Sequence, residues 1–341
     1  MSVLCLLLFL IAVTVAADSH TGHTVQRRGG DGMEILRRAA ESSMRLHYQG
    51  VRSVSWVDGT GRTETALLNI LHRPEVGTLV SPVRNGTEGT DVLVGTDAWE
   101  GPDEDVLAVL EANFWVRADG TGQIVGRPAV QVTARRDSGQ VAARFWVDEQ
   151  TGLLLRREVY DIDGELAQAS AFESVSFGAD TVGAAGEEVR PDVVGRPWGD
   201  ELDPSVLAQL RDEGWTLPER LYWGFELVEA RSTGSGEDRV AHLTYSDGIC
   251  VISVFVQRGS LAESAVTELR EVERDGAAVH VADEGGQHRR MWEADGFVHT
   301  VLADAPPGIA FGALKALPPP DGTGFWERIG RGLERMGTWL G

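Results

Sequence analysis

Lysine is almost missing from this chain: of 31 basic residues only Lys315 is a lysine, and the rest are arginines. Cysteine is nearly as scarce, with Cys5 and Cys250 in 341 residues. Two thiols exclude a disulfide framework and a cysteine-rich zinc module. Basic charge is outnumbered too. The formal net charge of -21 repels phosphate backbones and anionic headgroups, which excludes nucleic acid as a partner and favours a cationic one. Long apolar runs are confined to the start. "VLCLLLFLIAVTVAA", Val3 to Ala17, falls short of the roughly 20 residues of a membrane-spanning helix and suits the core of a secretory signal, with small residues before Asp18. No positive charge precedes it, so an uncleaved anchor stays open. With the signal removed, Cys250 is the last thiol.

Chemical motifs are missing as well. Lys315 has no phosphate-loop context, and Gly120-Thr121-Gly122 before Gly126 has the wrong spacing for a dinucleotide fingerprint. No nucleophile elbow or His-Glu-x-x-His motif occurs. His20 and His23 lie in a polar leader without further ligands, and His72, His242, His280, His288 and His299 are scattered through β-type sequence as structural histidines. Asp161 and Asp163 are turn formers, and Cys250, among Ile, Val and Phe, is a packing residue whose thiol burial renders inert. These readings imply no catalytic residue, no metal and no cofactor.

What is present is hydrophobic patterning: 42% of the residues are hydrophobic, enough for a globular core, and 341 residues leave room for about two ordinary domains. A helix is expected over Met33 to His47, then strands with a hairpin at Asp58 to Gly61, and a short helix over Asp103 to Ala112. From Gln123 four strands in series, "QIVGRPAVQVTARR", "QVAARFWVDE", "LLLRREVYDIDG" and "ELAQASAFESVSF", are divided by short polar turns, which gives an antiparallel meander. A Gly- and Pro-rich break covers 179–203. A helix from Pro204 follows, capped by Asp203. Further strands are expected at Tyr222–Arg231, Arg239–Tyr245, Cys250–Gln257, Ala277–Ala282, Gln287–Glu293 and Phe297–Leu302, with a last helix from Pro306-Pro307 to Ala316.

The organisation expected is therefore a signal or anchor over 1–17, a flexible leader over 18–32, a first domain over 33–178, a linker over 179–203, a second domain over 204–317 and a tail over 318–341. In the tail, Phe325, Ile329, Leu333, Met336 and Leu340 recur at helical spacing beside Trp326, an amphipathic stripe suited to the second domain, a partner groove or a membrane interface.

The ordered set "YQGV", "RFWVDEQTGLLLRREVYDIDGELAQASAFESVSF", "GWTLPERLYWGFEL" and "YSDGICVISVFVQ" resembles MucB/RseB-type sigma-factor regulatory proteins from about Met33 to Leu317. The resemblance implies an α+β chain: a half-open antiparallel β-barrel with helices in its mouth, similar to LolA/LolB lipoprotein carriers, followed by a smaller α+β domain. It implies an exported, extracytoplasmic protein that binds the external domain of a membrane anti-sigma factor and senses envelope stress through a lipid or peptide ligand. A lipid or lipoprotein carrier is the alternative, and self-association stays open. Alternation along the strands puts Val54, Trp56, Leu68, Ile70, Phe145 and Val147 on an apolar concave face, as cavity lining or as ordinary core.

Overall fold

Two sheets of unequal size divide the chain in this computed structural model. It describes residues 31–57, 61–74, 76–83, 92–95, 104–178, 192–194, 199, 201–274, 277–284 and 287–321. The expected signal, most of the leader, and the tail stripe with Phe325, Trp326, Ile329, Leu333, Met336 and Leu340 lie outside the described residues.

The first half opens with α1 (Asp31–Arg45), whose acidic residues Asp31 and Glu34 and basic Arg45 complement the helix dipole. Its Met33, Leu36 and Ala39 are buried at helical spacing. Strands β1 (Tyr48–Val57), β2 (Thr63–Arg73), β3 (Gly77–Pro82) and β4 (Val92–Gly95) follow, then α2 (Glu104–Asn113). The meander is β5 (Trp115–Ile124), β6 (Arg127–Arg135), β7 (Val141–Asp148), β8 (Leu154–Tyr160) and β9 (Leu166–Phe177). A short β10 (Asp192–Val194) completes a ten-stranded sheet ordered β10-β4-β3-β2-β1-β9-β8-β7-β6-β5. All its ladders are antiparallel except β10 on β4. The pairing of β1 with β9, Tyr48 opposite Phe177, joins the early strands to the meander. Among the described residues the order runs from β10 to β5 without these two meeting, so the barrel is half open, as expected.

The second half carries α3 (Pro204–Asp212), β11 (Glu226–Thr233), β12 (Val240–Ser246), β13 (Val251–Arg258), α4 (Glu263–Val266), β14 (Arg270–Arg274), β15 (Ala277–Glu284), β16 (Gln287–Ala294), β17 (Phe297–Asp304) and α5 (Pro307–Ala313). Its sheet runs β11-β12-β13-β17-β16-β15-β14 and is antiparallel throughout. One core, including Trp215, Phe225, Tyr245, Ile252, Trp292 and Ile309, lies against it. Asp203 caps α3 as expected, accepting from the backbone N–H of Ser205 and Val206, with Pro204 in the first turn.

Three local expectations change. The first meander strand is two: Val125 and Gly126, at φ 52° and 73°, form a two-residue turn, and Gln123 and Ile124 belong to the preceding strand β5. The stretch assigned to a linker contributes β10. Strand β14, with four charges in five residues, went unread because it has no apolar alternation.

Candidate functional site

Register sorts the residues of β1 and β2 onto two faces. Val54 and Trp56 of β1 share a face with Leu68 and Ile70 of β2, because Val54 opposes Ala66 and Gly50 opposes Ile70. Val54, Leu68 and Ile70 are buried in one cluster with Tyr48, Val80 and Phe172, and Trp56 packs against it half-buried. Phe145 and Val147 are buried elsewhere, in the cluster that α1 and α2 close over β5, β6 and β7. The six residues thus form two separate sets.

The first set surrounds a cation. Arg52 lies over the Phe172 ring at 4.6 Å and donates from Nη2 to the carbonyl of Leu154 at 3.1 Å. Burial pulls its guanidinium down to about 10, helped by the neighbouring Arg157 and opposed by Tyr48. Its Nε has no hydrogen-bond partner among the described residues. Arg52 as a whole is half-buried, and a cation held against an apolar face is costly unless an anion comes to it.

The opposite face of the same strands bears an open groove of about 440 Å³, lined by Gln49, Val51, Asn69, Leu71, Leu79 and Ser174 among others. Gly50 permits its floor, since a Cβ there would collide with the carbonyl oxygen of Ser174. Of the six cavity candidates only Ile70 lines this groove. In the second half, a crevice of about 310 Å³ lies between Trp292, Phe311, Leu314 and the Pro318–Pro320 segment, with Arg290 and Lys315 at its rim. Both cations sit over the Phe311 ring, at 5.6 and 5.5 Å.

The two halves meet through the Ser246-Asp247-Gly248 turn between β12 and β13. Asn113, at the end of α2, donates to the carbonyls of Gly224 at 2.8 Å and Asp247 at 3.0 Å. Arg157 of β8 donates to the carbonyl of Ile249. Gln168 of β9 donates to Asp304 Oδ1 at the end of β17, at 3.1 Å. Asp247 Oδ1 accepts from the backbone N–H of Ile249 at 2.8 Å and Cys250 at 2.6 Å. Burial pushes the Asp247 carboxyl up to about 6; those two backbone donors, Arg136 and Arg157 oppose the rise without cancelling it. Burial raises Asp304 as well.

Cys250 is 1% exposed and burial pushes its thiol well up, so the residue is inert packing. His242 and His299 are both pulled down to about 4 by burial, which keeps their rings neutral. They stack on Phe255 and Trp292 respectively. No group of three or more potential metal-ligating side chains gathers among the described residues. Sequence reasoning missed the junction residues. Asp247 was legible only as a turn former, and nothing in the pattern said that Asn113, Arg157 and Gln168 would cross to the other sheet.

One further feature marks the junction. Trp223 is 51% exposed and holds a left-handed backbone, φ 65°. Its indole lies against Gly312 of α5 so closely that a Cβ there would collide with it.

Residues 97–193 match the family model described as the MucB/RseB N-terminal domain. The sigma factor AlgU regulatory protein MucB of Pseudomonas aeruginosa is 29% identical over 219 residues, 59% of this chain and 59% of that protein. The match thus spans less than two thirds of the relative's length. A crystal structure of MucB shares the fold, with a TM-score of 0.50 at 19% identity over 84% of this chain and 97% of that one. A crystal structure of MucB in complex with MucA(peri) matches 86% of this chain and 100% of that one, at 20% identity and a TM-score of 0.49. This chain is therefore similar to MucB/RseB-type sigma-factor regulatory proteins, and the similarity to their N-terminal domain spans residues 97–193.

Proposed function

We propose that this protein is an extracytoplasmic regulatory binding protein. It holds the external domain of a membrane anti-sigma factor and releases it when a lipid or peptide ligand enters the half-open first sheet. The observation that carries the reading is the family match across the meander together with a relative named as a sigma-factor regulatory protein.

The physics supports grasping rather than bond-breaking. Val54, Leu68 and Ile70 pack with the half-buried Trp56 beside Arg52, whose buried Nε has no hydrogen-bond partner among the described residues, so a ligand that parts this packing would meet a donor. Phe145 and Val147, under α1, form a second apolar set reached only if that helix shifts. The acidic surface favours a partner segment with basic residues. Ligand binding acts by population shift, since a ligand that prefers one arrangement of the two halves weakens a partner that prefers the other. The tail stripe from Phe325 to Leu340 contributes a partner or membrane contact.

The test is capture of purified external domains of membrane anti-sigma factors by the full extracytoplasmic chain, with and without added lipid. Capture that lipid weakens supports the proposal. Failure to capture any such domain refutes it. Capture that lipid leaves unchanged removes the sensing step.

A further inference from the structure

The junction between the two halves buries acids that face arginines without pairing to them. Asp247 is 4% exposed and Asp304 8%. The cations nearby spend their donors on main-chain carbonyls. Arg136, in the β6–β7 turn, donates to Val141, Tyr160 and Asp161, and Arg157 donates to Ile249. Asp247 relies on the two amides of its own turn.

A second observation is independent of charge. Gln168, 4% exposed, donates to Asp304 Oδ1, yet its own Oε1 has no hydrogen-bond partner among the described residues. A buried acceptor without a donor is a standing cost. An ionised carboxylate cannot relieve it, because it has no proton to give. A neutral carboxyl can: with Oδ1 accepting from the amide, its O–H donates to Gln168 Oε1 and closes a cyclic acid–amide pair.

We propose that this contact is a proton-operated latch, in which a neutral Asp304 bonds Gln168 in both directions, an uncharged Asp247 lies in the same junction, and acidification closes the two halves. The groups facing Asp304 are Arg157 from β8, Gln168 from β9, His288 from β16 and the Cys250 thiol. Those facing Asp247 are Arg136, Arg157 and Cys250, and Arg136 in turn faces Asp161.

The sign follows from burial. Both carboxyls are raised in the closed form, so that form holds protons which the open, solvated form has released. Closure is therefore favoured as pH falls through the raised value and weakens above it. For Asp247 alone, about 6 against an ordinary 3.8, the closed-to-open ratio rises roughly tenfold between pH 7 and pH 5. The latch requires no assumption about what the protein binds.

The experiment is amide hydrogen exchange of the full chain at pH 5 and pH 7, with rates corrected for intrinsic pH dependence. Peptides covering the 246–251 turn and α2 report the junction, and the β1–β2 hairpin is the reference. In the native chain the junction peptides should gain roughly tenfold protection at pH 5 while the hairpin does not. Asp304→Asn places a permanent donor opposite Gln168 Oε1, and Asp247→Asn removes the second charge. The double variant should be protected at pH 7 and respond little to pH. His288→Gln separates the carboxyls from histidine titration and should keep the response, even where the double variant does not fold. Equal junction protection at both pH values in the native chain overturns the latch, as does a response that vanishes in His288→Gln.

Discussion

Replacing Gly248 by alanine tests whether the two halves are held by contact rather than by tether. Gly248 has φ +95°, in the region that favours glycine. A side chain there costs about 1–2 kcal/mol from backbone strain alone. The added Cβ would also meet Leu110 of α2, at 2.5 Å from its N and 2.6 Å from its Cβ, with its Cα equally crowded. Two of those three atoms are main chain, so no rotamer change relieves the collision, and overpacking of this kind costs about 1–3 kcal/mol. The sum is about 2–5 kcal/mol. Gly296→Ala is the matched control: its φ is +80° and nothing lies within 4 Å of the built Cβ, so only the strain of about 1–2 kcal/mol applies. The assay is equilibrium urea unfolding at pH 7, followed by tryptophan fluorescence. Gly248→Ala should lose about 1–3 kcal/mol more than Gly296→Ala. Adding Leu110→Ala should not restore it, because the Leu110 N and Cα remain. Equal losses in the two alanine variants, or full recovery in the double variant, would refute the reasoning.

Asp148→Asn should destabilise the first half by about 1–3 kcal/mol at pH 7. Although burial works against it, hydrogen bonds from Arg127 and Thr151 hold the Asp148 carboxyl below its ordinary 3.8, so its contribution is present above that value and fades as pH falls through the lowered one. Urea unfolding at pH 7 and pH 3 checks it: the gap between native and variant should shrink in acid. Cys250 in a chain carrying Cys5→Ser should resist a thiol reagent at pH 8 and react once denaturant is added; native labelling within minutes would contradict its burial. Deleting 324–341 should reduce membrane association or complex formation, measured by vesicle sedimentation and capture. A change confined to thermal stability would make the tail a packing element.

The meander was legible because its turns are. Asp137-Ser138-Gly139, Gln150-Thr151-Gly152 and Asp163-Gly164 are chemical punctuation, and Gly139, Gly152 and Gly164 all take positive φ in the structure. Asp203-Pro204 announced its helix in the same way. Val125-Gly126 was missed since valine rarely accepts a left-handed backbone, and β14 because edge strands are often charged. The β1–β2 register puts Val54, Trp56, Leu68 and Ile70 on one face, a placement alternation can reach because period two is local. It could not show that Phe145 and Val147 belong under α1, which depends on how far the sheet curls. The junction was illegible for a related reason: Gln168 and Asp304 are 136 positions apart, and single polar residues in apolar strands carry no signal of their partner.

The gap between β5 and β10 has a mechanical consequence. Sealing such a cylinder would fix its girth, and enlarging it would mean tearing a whole ladder, about five hydrogen bonds at roughly 1 kcal/mol each. A sheet with two loose margins instead changes curvature at its bulges, among them the one between Val51 and Arg52. Its girth can thus change while every strand keeps its neighbours.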